Sequence, residues 1–183
     1  MFESHFQTFT DAANGAHGAE RLARLRAELT RRGLDGFLIP RADEHQNEYT
    51  PPSAERLAWL TGFTGSAGMA VVLPKRAALF VDGRYTLQAP AQVDVRAFEP
   101  INTGECSADA WLEKNVQAGW RIACDPWLHT PAQLARHERA IKAAGGVLVR
   151  AQSNPLDAIW TDRPAPPLKR AGCRVTAPSG GAG

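Results

Sequence analysis

Helix-patterned stretches and short apolar runs take turns along this chain, and that alternation leaves few folds open. Residues 19–32 set Leu22, Leu25 and Leu29 at helical spacing, with Arg and Glu on the other face and Gly33 as a stop. Asp35 to Pro40 is a short apolar run after that stop, the pattern of a buried strand. Met69–Leu73 and Ala77–Val81 are two more runs, split by Pro74-Lys75-Arg76 into a predicted hairpin. Val93–Phe98, Arg121–Cys124 and Val147–Val149 are read as further strands. Helices are predicted between them. One is capped by Ser53 and carries Leu57, Trp59 and Leu60; a second runs from Arg84 through Gln92. A third is capped by Ser107 and ends at Val116. A fourth opens at Thr130-Pro131, with proline where its missing N–H costs nothing, and ends at Ala143 before Gly145-Gly146. Residues 155–160 supply a last helical turn. The interleaved order predicts an α/β domain: a mixed β-sheet, mostly buried, flanked by helices.

The length of 183 residues suits one such domain with appendages. The net charge of +2 is too small to signal nucleic-acid binding. It is also unevenly placed: every acid lies at or before Asp162, whereas Lys169, Arg170 and Arg174 lie beyond it among prolines and glycines. That end is read as a flexible, basic tail. Three scattered cysteines, Cys106, Cys124 and Cys173, form no CxxC pair, which speaks for free thiols in a reducing compartment. No run reaches about 18 apolar residues, and no basic segment precedes an apolar one at the start, so the expected setting is the cytoplasm without a membrane anchor.

The chemistry-bearing residues form no complete catalytic set. Asp43 to Glu48 places carboxylates around His45 in a polar loop ending at Pro51-Pro52; a single His favours a hydrogen-bonding loop over a metal site. His129 and His137, with no third ligand nearby, are expected to be surface histidines. Acids flank Cys106, which disfavours a thiolate nucleophile and leaves a small cysteine hydrolase as a weak reading. The stretch Thr61 to Gly68 is Gly-rich but lacks phosphate-loop and nucleophile-elbow spacing; its glycines serve close backbone packing or turning. Asp82-Gly83-Arg84-Tyr85 directly follows a strand, the place where open α/β sheets contact ligands. Arg84 there either clamps a carboxylate or carbonyl, or pairs with a neighbouring acid in a simple turn.

These pieces, taken in order, resemble the N-terminal domain of Xaa-Pro aminopeptidases of the three-domain cytosolic type, within the creatinase/prolidase family. The resemblance rests on the acidic-His loop ending in Glu48-Tyr49, on Gly62-Phe63-Thr64-Gly65-Ser66-Ala67-Gly68, and on Asp82-Gly83-Arg84-Tyr85 followed by Leu87-Gln88-Ala89. Asp125-Pro126 after a strand adds to it, as does Asn154-Pro155-Leu156-Asp157 leading to Trp160 and Pro164. It spans about residues 19–167. The resemblance implies removal of the N-terminal residue from peptides with proline second, by a water activated at a dinuclear metal site, usually manganese. In that family two Asp, one His and two Glu of a C-terminal domain hold the metals, and the N-terminal domain narrows the active-site mouth and helps form a homodimer. Carried over, the arginine reaching the substrate region is Arg84, with Asp82, Gly83 and Tyr85 shaping its turn. His45 and Glu48 belong to the loop facing the active site.

After Pro164 this sequence departs from the family pattern, and the residues beyond Glu138 supply no counterpart of the metal ligands. The expected organisation is an N-terminal extension over 1–18, a creatinase-type domain over 19–163 and a disordered tail over 164–183. The catalytic domain is expected to be absent, in a truncated or frameshifted gene product or a fragment. On this reading the chain holds no catalytic residue and no metal of its own. The alternative is a stand-alone binding or oligomerisation module of the same fold.

Overall fold

The computed structural model describes residues 15–167. Most of the expected N-terminal extension, and the tail from residue 168 with Lys169, Arg170, Cys173 and Arg174, lie outside the described residues.

The helices are α1 (Gly18–Arg31), α2 (Arg56–Thr61), α3 (Gln88–Gln92), α4 (Ala108–Asn115), α5 (Pro131–Ala143) and α6 (Pro155–Ile159). The strands are β1 (Gly36–Pro40), β2 (Met69–Val72), β3 (Ala77–Val81), β4 (Glu99–Asn102), β5 (Arg121–Cys124) and β6 (Val147–Arg150). They form one sheet in the order β4-β3-β2-β1-β5-β6. Only β2 runs against the rest: it is antiparallel to β1 and β3, while β3–β4, β1–β5 and β5–β6 are parallel. The expected mixed sheet and hairpin are therefore present. This direction pattern gathers the carboxyl ends of five strands along one edge.

Both sheet faces are covered, which is why the strands read as unbroken apolar runs. Side chains still alternate along each strand. Phe37 and Ile39 of β1 pack with Leu22, Leu25 and Leu29 of α1 and with Leu57 and Leu60 of α2. Leu38, between them, faces Trp111 and Leu112 of α4 and Ile141 of α5.

Local chemistry sets the helix starts. The Ser107 hydroxyl accepts from Ala110 N at 3.1 Å, and Thr130 and Gln133 form a reciprocal capping box. Ser53 is not a cap. It lies inside a short 3-10 turn, Pro52–Ala54, and α2 begins after Glu55 without side-chain capping. The expected strand at Val93–Phe98 is also absent. Asp94 closes that segment instead: its carboxylate accepts from Arg96 N at 3.0 Å, and its carbonyl from Ala97 N and Phe98 N, each at 2.9 Å. The strand forms one step later, with Leu79 opposite Pro100.

The last described elements are tied back to α2. Trp59 stacks on Trp160 at 5.3 Å between centroids. Arg56 grips Asp157 with two hydrogen bonds, Nε–Oδ1 at 2.7 Å and Nη2–Oδ2 at 2.9 Å. Arg163 adds a third contact to the same carboxylate at 2.7 Å.

Candidate functional site

The carboxyl edge of the sheet is where the polar loops meet. Leaving β1, Arg41 donates to the carbonyls of Glu48 and Ser66 at 3.0 and 3.1 Å, and to the Glu55 carboxylate at 3.3 Å. One guanidinium thus joins the loop after β1 to the Gly-rich stretch before β2. No sequence motif singles Arg41 out. The available signal was its position, a cation immediately after a strand and on the same edge as Arg84.

The loop after β1 is organised by Asp43, which is buried. Its carboxylate accepts from His45 N at 3.0 Å, Asn47 N at 2.9 Å and Asn47 Nδ2 at 2.8 Å. Burial opposes its ionisation, but these donors outweigh that and hold its pKa below the ordinary carboxylate value. The loop is a hydrogen-bonding one, as its composition suggested. His45 stands on its outside, exposed, with Glu44 at 3.9 Å. It lines a hollow of about 390 Å³ together with Asn47, Tyr49, Pro51 and Arg163.

The Gly-rich stretch turns and packs closely, as expected. Gly62 has φ +85°, and a Cβ on Gly65 would lie 2.2 Å from the Phe63 ring. This close packing brings Ser66 to Tyr85. Ser66 N donates to the Tyr85 hydroxyl at 3.1 Å, and the two hydroxyls are 2.6 Å apart. The side-chain and backbone hydrogen bonds from Ser66 favour the phenolate and lower the Tyr85 pKa. Phe63 meets the Tyr85 ring edge-on at 5.4 Å.

Asp82 caps the 3-10 turn Gly83–Tyr85 by accepting from Arg84 N at 2.9 Å. The same carboxylate takes Arg84 Nε at 3.0 Å and Nη2 at 2.6 Å. The Arg84 side-chain hydrogen bonds, then its backbone N–H, lower the Asp82 pKa, and the Asp82 carboxylate raises that of Arg84. The turn with a neighbouring acid is therefore formed. Even so, the Arg84 side chain is 67% exposed, so its guanidinium still faces solvent. The structure brings Arg84 and Tyr85 together at one loop; neither lines the hollow that His45 borders.

Three large apolar side chains surround this edge in the open: Tyr49 after β1, Leu87 after the Arg84 turn and Trp127 after β5. The histidines behave differently from expectation. His129 and His137 are buried, not surface groups, and their rings meet edge-on at 5.6 Å. His137 has a distant partner: its Nδ1 lies 2.5 Å from Asp109 Oδ1, on α4, whereas His129 Nε2 is buried without a hydrogen bond. Burial first, then the neighbouring His137, pushes the His129 pKa down to about 4. Among the described residues, no group of three or more His, Cys, Asp or Glu is placed to hold a metal ion. No helix among them is long and apolar enough to cross a membrane.

The sequence pattern of the Creatinase/Prolidase N-terminal domain matches residues 21–159. A probable Xaa-Pro aminopeptidase P of Coccidioides posadasii is 37% identical over 177 residues, covering 93% of this chain and 27% of that protein. One from Aspergillus niger is 37% identical over 156 residues, covering 81% and 25%. The chain thus spans about a quarter of the length of these relatives. Among solved structures, it is similar to the X-prolyl aminopeptidase of Caenorhabditis elegans, described as a cytosolic enzyme with a di-nuclear active site. That likeness has a TM-score of 0.73 and 32% identity over 80% of this chain and 26% of that one. The N-terminal domain of the peptidase PepQ from Mycobacterium tuberculosis shares the fold, at a TM-score of 0.59 and 24% identity over 77% of this chain and 98% of that domain.

Proposed function

Since the chain belongs to the creatinase/prolidase N-terminal domain family, we propose that it works as the substrate-facing domain of an Xaa-Pro aminopeptidase, a cytoplasmic metallopeptidase. The observation that carries this reading is the Asp82–Tyr85 loop: a solvent-facing guanidinium, held by its own acid, at the carboxyl edge of the sheet. Its substrate is a peptide with proline second. With Nε and Nη2 held by Asp82, Arg84 has its solvent-facing Nη1 end to offer a peptide carbonyl or carboxylate. Asp82 orients the guanidinium, and Tyr85 anchors the loop through Ser66. The His45 loop, with Glu48 at its far side, borders the approach. The creatinase-type domain extends over residues 19–163.

In such an enzyme two divalent ions, manganese in this proposal, polarise the scissile carbonyl and activate water. The described residues do not fit that group, because no three of their acids, histidines and cysteines converge on one point. Work on the substrate by this domain is therefore binding and orientation. Tyr49, Leu87 and Trp127 around the same edge are suited to seat the remaining part of such an enzyme or its homodimer partner.

A Mn²⁺-supplemented hydrolysis assay of an Xaa-Pro-Xaa peptide tests this: the purified 183-residue chain is expected to leave the peptide intact. Turnover by the chain alone would overturn the reading. The same three exposed side chains favour one other reading, a stand-alone binding or oligomerisation module. Light scattering separates a monomer from an assembled form: a stable homo-oligomer of the chain, dispersed by Trp127→Ser, puts that side chain at its interface, and a monomer speaks against the module.

A further inference from the structure

A second hollow, of about 420 Å³, lies on the α4–α5 side of the sheet at the carboxyl ends of β3 and β4. That is the position at which open α/β sheets take small ligands, and the volume is in their usual range. Ala67, Met69, Phe80 and Ala108 supply apolar lining. Asp82, Asp109 and Arg136 supply charge of both signs.

Those charges are unequally used. Asp82 is committed to Arg84. Asp109 gives only Oδ1 to His137. Its Oδ2 stands 3.6 Å from Arg136 Nε, an ion pair too long for a hydrogen bond. A carboxylate oxygen and a half-exposed guanidinium therefore stand side by side, attracted but not hydrogen-bonded to each other. A lone anion entering here would meet two carboxylates, and a lone cation would meet the guanidinium. A molecule with both charges on one carbon satisfies both.

We propose that this hollow binds a free α-amino acid with an apolar side chain. Its ammonium group donates to Asp109 Oδ2, its carboxylate accepts from Arg136, and its side chain lies against Met69 and Phe80. The inference stands whether or not the peptidase reading holds.

The test is a ¹⁵N–¹H shift titration of the whole chain with L-leucine, L-leucinamide and 4-methylpentanoate, with Arg136→Gln alongside. L-leucine is expected to give saturable shifts at the amides of Gly68, Thr103, Ala108 and Gln133, with a dissociation constant on the order of millimolar. Loss of either ligand charge, or Arg136→Gln, should weaken binding at least about tenfold. The proposal is overturned if L-leucine gives no saturable shift or its shifts map elsewhere. It is equally overturned if either singly charged analogue binds the unaltered chain as tightly as L-leucine.

Discussion

Two arginine–aspartate pairs in this molecule share nearly the same fork geometry and sit in opposite environments. Arg56 meets Asp157 at 2.7 and 2.9 Å; Arg84 meets Asp82 at 3.0 and 2.6 Å. The first arginine side chain is 8% exposed, the second 67%. Their spans also differ: the first pair joins residues 101 apart, the second residues two apart. The buried pair locks α6 onto α2, and its cation cannot return to water without unpacking the domain. The exposed pair only shapes its own turn, so its guanidinium can exchange one partner for another at small cost. Environment, more than contact distance, separates a structural pair from one available for binding.

Among single substitutions, the largest effect should come from breaking the buried pair. Asp157→Ala leaves the Arg56 guanidinium buried without its carboxylate, and urea unfolding should show a loss of about 2–3 kcal/mol, below that of a fully buried pair because the Asp157 side chain is 29% exposed. A loss as small as that of an exposed pair would erase the distinction. Acid has an effect of similar size. His129 is kept neutral by burial, with its pKa down from 6.5 to about 4. The folded chain therefore resists protonation where the unfolded chain accepts it. Stability should be full above pH 6.5 and fall by roughly 3 kcal/mol as pH drops to 4. Unfolding midpoints across that range check this, and His129→Leu should flatten the slope. Ser107→Ala serves as a yardstick for an exposed but ordered contact, with about 1 kcal/mol expected from the lost cap of α4. The smallest effect on stability belongs to Arg84→Ala, whose unfolding midpoint should match that of the unaltered chain. If Arg84→Ala costs as much as Asp157→Ala, the comparison fails.

Legibility in the amino acids obeys the same division between near and far. The α1 pattern, the Met69–Val81 hairpin and the caps at Ser107 and Thr130 depend on neighbours a few residues away, and all are present. Strand β4 was missed because Glu99-Pro100-Ile101-Asn102 is an edge strand with proline and partial exposure, and so lacks the apolar run of a central strand. Val93–Phe98 has that apolar content but is captured by the Asp94 turn. Ser53 has capping chemistry, yet Pro52 starts a 3-10 turn at that point. The partner of His137 is Asp109, 28 residues away on another helix, which no local pattern reports. At the edge itself, Arg84 and its acid were legible because they are adjacent. Arg41 was not, because its three partners lie 7, 14 and 25 residues away, on both sides of α2.

The proposed role of Arg84 is to serve substrate while contributing little to folding. Its most direct test is kcat/KM for an Xaa-Pro-Xaa peptide in the nematode X-prolyl aminopeptidase carrying residues 15–167 of this chain as its N-terminal domain, with and without Arg84→Ala. Arg84→Ala should lower kcat/KM at least about tenfold, with the unfolding midpoint unchanged. An unchanged kcat/KM in the Arg84→Ala chimera would contradict it.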